Sequence, residues 1–319
     1  MPELRRSEPE ALFEALAARR LLIVSGKGGV GRTTVAALLG SALAARGRKV
    51  LVATTGHDDR LAWMLGGEGL TDVPVEVEPN LWIQRLVPST CVEEYGALVT
   101  RSQRLSQAVF GNKTVRRLLR AIPGLDDFAV LGKVWHEAVR AQSFDTILFD
   151  GPASGHLRLV LGVPQAILET ISEGPITREA EAMRAALQDP SLSAAVLVGL
   201  PEPWPLSEMD ELADALRDEI GLEIGALVVN KLWPELPSLP AAGSASDHPA
   251  ATMLAVIDDL GERGREQREV VRVWLHERAG LGSREPLLLA PWWPWGLERP
   301  ERLRDLLHAI ETGADAADA

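Results

Sequence analysis

Short apolar runs, each closed by glycine or a polar residue, alternate along this chain with longer stretches of helical periodicity. Leu21–Ser25 is apolar up to its last residue and stops at glycine. Lys49–Thr54, Leu81–Leu86, Asp145–Asp150, Ala194–Leu200, Ala226–Asn230 and Pro286–Ala290 have the same character. Runs so short and so apolar predict strands buried on both faces. Between them, Ala11–Arg20 predicts a short helix, and Val35–Ala45 a helix of small residues that can pack closely on a sheet. Residues 91–141 read as mainly helical with a break at Pro123-Gly124, and 251–279 as a charged helix. Leu303, Leu306, Leu307 and Ile310 form a helical stripe. Glu301, Asp305 and Glu311 dilute its basic residues, which favours docking on the core over a membrane surface. Strands alternating with helices predict an α/β fold with a doubly wound, mostly parallel sheet. Ligands of such sheets bind at the carboxyl ends of the strands.

The chain reads as a single domain over 1–319, with 91–141 as a helical insert and no internal repeat. Residues 236–250 read as a flexible loop, and 313–319 as a disordered tail of small and acidic residues.

Composition narrows the partners. A net charge of −12 argues against broad binding of nucleic acid or anionic membrane. The single cysteine, Cys91, excludes an internal disulfide framework and a multi-cysteine metal site, which suits a reducing compartment. The first ten residues lack the apolar core of a signal peptide, and no run approaches the roughly 20 apolar residues of a membrane span. The expectation is a cytoplasmic protein without stable membrane insertion. Nine tryptophans against one tyrosine is unusual, and Trp292, Trp293 and Trp295 cluster in Pro-Trp-Trp-Pro-Trp. They are either buried near a sheet edge or exposed as a partner surface or adenine-stacking wall.

The candidate chemistry lies where the first strand meets the small-residue helix. Gly26-Lys-Gly-Gly-Val-Gly-Arg-Thr-Thr34 follows the template Gly, four residues, Gly-Lys-Ser/Thr. Gly26, Gly31 and Thr33 fit it; Arg32 stands where lysine is expected. Backbone N–H groups of Lys27, Gly28, Gly29, Val30 and Gly31, continued into a helix N-terminus, can surround a row of phosphate oxygens. Thr33 would offer its hydroxyl to Mg²⁺, and Thr34 would reach the α-phosphate. A dinucleotide site would leave this threonine pair without a role. Arginine keeps the charge of lysine and bridges phosphate oxygens, but it is bulkier and planar. Asp150 closes a buried strand, where a carboxylate can face Mg²⁺ or its waters; a turn or cap role is the alternative. The Gly-Pro-Ala-Ser-Gly run after it can form a switch loop that senses the terminal phosphate.

Lys27, directly after the first glycine, makes the loop resemble the "deviant Walker A" ATPases: ParA, MinD, the nitrogenase iron protein and the ArsA/GET group. Asp150, Gly155 and His156 match in register the Asp-Thr-Ala-Pro-Thr-Gly-His switch II of the ArsA/GET ATPases. Ile122-Pro-Gly-Leu-Asp-Asp, Val228-Val-Asn230 and Pro286–Leu307 resemble further segments of that family. The resemblance implies bound ATP or ADP with Mg²⁺, held through Thr33 and Asp150. It implies a dimer in which Lys27 reaches the partner's nucleotide, a nucleotide-sensing role for Gly155 and His156, and adenine recognition by Asn230. It also departs from the family. Where switch I reads Asp-Pro-Ala-His, this chain has Thr55-Gly-His-Asp-Asp, so the water-orienting aspartate is replaced by Thr55. Asp58 or Asp59 could substitute if the loop slips. The zinc Cys-x-x-Cys, the clustered arsenite-binding cysteines and a methionine-rich helical segment are all missing.

The reading is an ATP-binding, nucleotide-dependent dimeric switch with weak or partner-dependent hydrolysis. It would form a homodimer, or a heterodimer with a related ATPase, and serve an unknown protein client. The alternatives are a pseudo-ATPase subunit that pairs with a competent paralogue, and a positioning factor of the ParA/MinD type.

Overall fold

Each central strand sends alternate side chains into two separate cores. In β1 (Leu21–Gly26), Leu21 and Ile23 enter one, Leu22 and Val24 the other. The same division runs through β2 (Val50–Thr54), β5 (Thr146–Asp150), β6 (Ser193–Gly199) and β7 (Ile224–Leu232). Both faces are therefore apolar, and both must be covered by helices. This computed structural model describes residues 8–100, 124–234, 236, 249–280 and 285–313.

Helices α1 (Pro9–Ala17), α2 (Arg32–Ala45), α3 (Arg60–Met64) and α10 (Pro300–Thr312) cover one face. Helices α4 (Pro88–Thr100), α5 (Leu125–Trp135), α6 (Ser154–Thr170), α7 (Pro175–Gln188), α8 (Pro203–Ala215) and α9 (Pro249–Gly280) complete the second layer. A π-type turn extends α5 over His136–Ala141 and α8 over Leu216–Ile220. Leu303, Leu306, Leu307 and Ile310 of α10 are buried, so this helix docks on the core.

With β3 (Val75–Glu78), β4 (Leu81–Arg85) and β8 (Leu287–Pro291), the sheet has eight strands in the order β3-β4-β2-β5-β1-β6-β7-β8. Only β3 runs antiparallel to its neighbour. The fold is the doubly wound α/β class expected from the strand–helix alternation. The edge strand β3, Val-Glu-Val-Glu, was not expected; it is partly exposed, and its glutamates suit an edge. Register fixes the site: Val24 and Thr54 both lie opposite Asp150, so the ends of β1 and β2 flank that carboxylate.

Of the segment expected to be helical, 91–100 and 125–141 are helix, and 101–123 lie outside the described residues. The expected loop 236–250 lies outside them as well, apart from residue 236 and the start of α9, as do tail residues 314–319.

Candidate nucleotide-binding site

The loop between β1 and α2 turns tightly against two neighbouring strands. A Cβ on Gly26 would sit 2.1 Å from the Val198 carbonyl oxygen. Gly31, the N-cap of α2, has φ +94° and lies so close to Asn230 that a Cβ would be 2.2 Å from Nδ2. No side chain caps this helix start, so its first amides remain open to a ligand. Lys27, Gly28 and Gly29 are exposed and Val30 is buried; Arg32, Thr33 and Thr34 form the first turn of α2.

Asp150 is the buried centre of the site. Its Oδ2 accepts hydrogen bonds from Thr33 Oγ1 at 2.8 Å and Thr54 Oγ1 at 3.0 Å. Thr54 Oγ1 in turn accepts from the Gly56 amide at 3.0 Å. Burial pushes the Asp150 carboxyl above its usual range. The two hydroxyl bonds and the Arg32 charge work against that push, and Asp58 adds to it. Thr33 and Asp150 are hard oxygen donors on adjacent elements, and a cation between them would relieve the burial cost of the carboxylate. They fit Mg²⁺. No cluster of three His, Cys, Asp or Glu able to hold a metal occurs among the described residues. A magnesium carried by nucleotide phosphates needs only one or two protein ligands.

Arg32 does not lie along the glycine loop. Its Nη1 donates to the Gly151 carbonyl at 2.9 Å, and Ser25 Oγ donates to the Pro152 carbonyl at 2.8 Å. Both ties hold the segment after Asp150 against the phosphate loop. The other loop cation, Lys27, is paired with Glu208 on α8 at 2.7 Å, with its ammonium 5.5 Å from the Trp204 ring centroid. Hydrogen bonds from Lys27 and then Trp204 hold the Glu208 carboxyl below its usual range.

Asn230 Nδ2 donates to the Val30 carbonyl at 2.8 Å, and its Oδ1 accepts from the Lys231 amide at 2.9 Å. One N–H and one lone pair of the amide remain for a base edge. Asp58 Oδ1 accepts from the Arg60 amide at 3.2 Å. Asp59 Oδ1 is taken by the Leu70 amide at 2.9 Å and Arg85 Nη2 at 2.8 Å, which ties it to β4. Gly155 and His156 open α6, where His156 Nε2 lies 3.2 Å from Asp127 Oδ1 on α5. The tryptophan cluster divides: Trp292 stacks on Trp233 at 4.4 Å, Trp293 is buried, and Trp295 is exposed. Sequence reasoning missed Thr54, Glu208 and Lys231. Thr54 carried a signal, a hydroxyl at the end of a strand beside that of Asp150.

A glycine loop between β1 and α2, with Thr33 bonded to a carboxylate at the end of the adjacent strand, defines a P-loop nucleotide-binding protein. Residues 19–174 match the family described as anion-transporting ATPase. ATPase BagA of Mycobacterium tuberculosis is 28% identical over 231 residues, covering 67% of this chain. The arsenical pump-driving ATPase of Escherichia coli is 26% identical over 294 residues, covering 90% of this chain and 44% of its own length. ATPase GET3 of Pyricularia oryzae is 30% identical over 214 residues, covering 63% of this chain and 58% of its own. The match spans 66% of the length of the mycobacterial relative. These matches, over the first half of the chain and beyond it, support a place among the ArsA/GET-type ATPases. Among the described residues, no helix is long and apolar enough to cross a membrane.

Proposed function

We propose that this protein binds ATP with Mg²⁺ and works as a nucleotide-dependent dimeric switch in the cytoplasm, with weak or partner-dependent hydrolysis. The observation that carries this reading is the Thr33–Asp150 bond at the mouth of the glycine loop. Loop amides, with the N–H groups of Arg32 that Gly151 leaves free, would hold the phosphates, while Thr33 and Asp150 would hold Mg²⁺, which would supply positive charge against the phosphate oxygens. Asn230 orients the base. Lys27 leaves Glu208 to reach a second subunit, and Gly155 with His156 passes the nucleotide state to Asp127 and α5. That helix lies within the 91–141 segment, where a protein client would dock.

Weak turnover follows from the first switch segment. Thr55 cannot act as a carboxylate, and Asp59 is held by Arg85 and Leu70. Asp58 stays nearer the site, where its charge reaches Asp150. The second reading, a pseudo-ATPase subunit paired with a competent relative, is favoured by the engagement of Arg32 with Gly151.

Steady-state hydrolysis and binding of an ATP analogue by the purified protein, with Lys27→Ala and Asp58→Asn, test both. Slow Mg²⁺-dependent turnover that falls in the Lys27 variant supports the switch. Binding without turnover supports the pseudo-ATPase. No binding at millimolar analogue ends both readings.

A further inference from the structure

Three described residues other than glycine have positive φ: Asn80, Gln142 and Lys231. Asn80 joins β3 to β4, and Gln142 caps a helix, positions where left-handed backbone is ordinary. Lys231, at φ +61°, lies inside β7, where the pairing with β8 shifts register between Val229 and Leu232. A left-handed residue with a long side chain inside a strand is uncommon, and such conformations concentrate at functional sites.

The contacts of Lys231 lead to the glycine loop. Its Nζ donates to the Gly29 carbonyl at 3.2 Å. Its amide holds Asn230 Oδ1, and Asn230 Nδ2 holds the next carbonyl, Val30. One dipeptide at the end of β7 thus grips two successive carbonyls of the loop. In a trans peptide the C=O and the following N–H point in opposite directions. Pinning the carbonyls of Gly29 and Val30 on the β7 side therefore turns the amides of Val30 and Gly31 the other way. Successive amides so directed form an anion-binding concavity, and a cation on the carbonyl side polarises the peptide and strengthens its N–H as a donor.

We propose that Lys231 is a positioning residue of the nucleotide site: its strained backbone is retained so that its ammonium holds the Gly29–Val30 peptide in phosphate-binding orientation. This rests on the reading of the loop as a nucleotide site. A structural role for the side chain would give a different outcome, because glycine adopts the left-handed conformation without strain.

The test compares wild type, Lys231→Gly and Lys231→Arg. Two quantities are measured: the apparent melting temperature without nucleotide, and the dissociation constant of a fluorescent ATP analogue with Mg²⁺. A charge-assisted hydrogen bond sets the expected loss on glycine substitution at about ten-fold in affinity. Lys231→Gly is expected to melt no lower than wild type, and Lys231→Arg to restore most of the affinity. Glycine-variant binding equal to wild type overturns the proposal. So does a glycine variant that melts several degrees lower, which assigns the lysine to the fold. Failure of wild type itself to bind the analogue overturns the nucleotide-site reading together with this one.

Discussion

Substituting Gly31 by alanine tests the geometry of the loop at its tightest point. The left-handed φ of +94° costs a residue with a Cβ about 1–2 kcal/mol. The new methyl would also sit 2.2 Å from Asn230 Nδ2, so the amide must move and its bond to the Val30 carbonyl is lost. Asn230 is buried, and leaving such a pair unmade costs about 1–3 kcal/mol. The two effects together amount to about 3 kcal/mol. For a chain of 319 residues the melting entropy is about 0.7 kcal/mol/K, so the drop in melting temperature is about 4–5 °C. A double-mutant cycle with Asn230→Ala separates the parts. Alanine at 31 should cost only its backbone share once Asn230 is gone, leaving a coupling of about 1–2 kcal/mol. Thermal melts of the four proteins measure it. A coupling below about 0.5 kcal/mol refutes the claim that Asn230 adds to the backbone's own need for glycine there.

Three further outcomes follow from the charges and the single thiol. Burial raises the folded-state pKa of Asp150 above its ordinary 3.8, so the folded chain binds that proton more tightly than the unfolded one. Its contribution to stability therefore falls as pH rises from 3.8 through the raised value, and Asp150→Asn should flatten that slope and melt higher near neutrality. Melts of both proteins between about pH 4 and 7 check the sign, and a steeper slope in the variant contradicts it. Glu208→Gln removes the ion-pair partner of Lys27, and amine labelling of Lys27, followed by mass spectrometry, should accelerate by up to about five-fold, the range for an exposed pair. Cys91 is buried, and its thiol is pushed up to about 12. It should resist a thiol reagent near about pH 8 in the folded protein and react fully in denaturant.

The central strands were legible because burial on both faces leaves an unbroken apolar run, as in Leu21–Ser25 and Asp145–Asp150. Strand β3 was not: Val75 and Val77 alternate with glutamates over four residues, and its pairing is with β4 alone. The Gly-Pro-Ala-Ser-Gly run read as a loop, yet α6 begins at Ser154 and carries Pro164 inside it, a residue that argues against helix in sequence. The glycine loop was readable because its residues are contiguous and their spacing follows phosphate chemistry. Thr54, Glu208 and Lys231 come from three other elements, and only register and tertiary packing bring them to the loop. Trp204 and Glu208 stand four apart on α8, a spacing that predicts a shared helix face but not that Lys27 lies on it.

Burial divides the polar groups of the site into two sets with different consequences for a ligand. Thr54, Asp150 and Asn230 are buried, with Thr33 half-buried beside them, and their bonds connect the loop to β2, β5 and β7. Rearranging these bonds on nucleotide entry would leave buried polar atoms unpaired, so the set must receive phosphate and cation as it stands. Lys27 and His156 are exposed, and their carboxylate partners Glu208 and Asp127 are in contact with solvent. Exposed pairs of this kind contribute about 0–1 kcal/mol, so exchanging them for a partner subunit or a displaced switch segment costs little. On the proposed function, nucleotide binding therefore belongs to the buried set and dimer formation to the exposed one. Variants of Lys27 or Glu208 should then change association while nucleotide affinity of the monomer holds. Variants of Thr33 or Asp150 should lose affinity first and association only as its consequence.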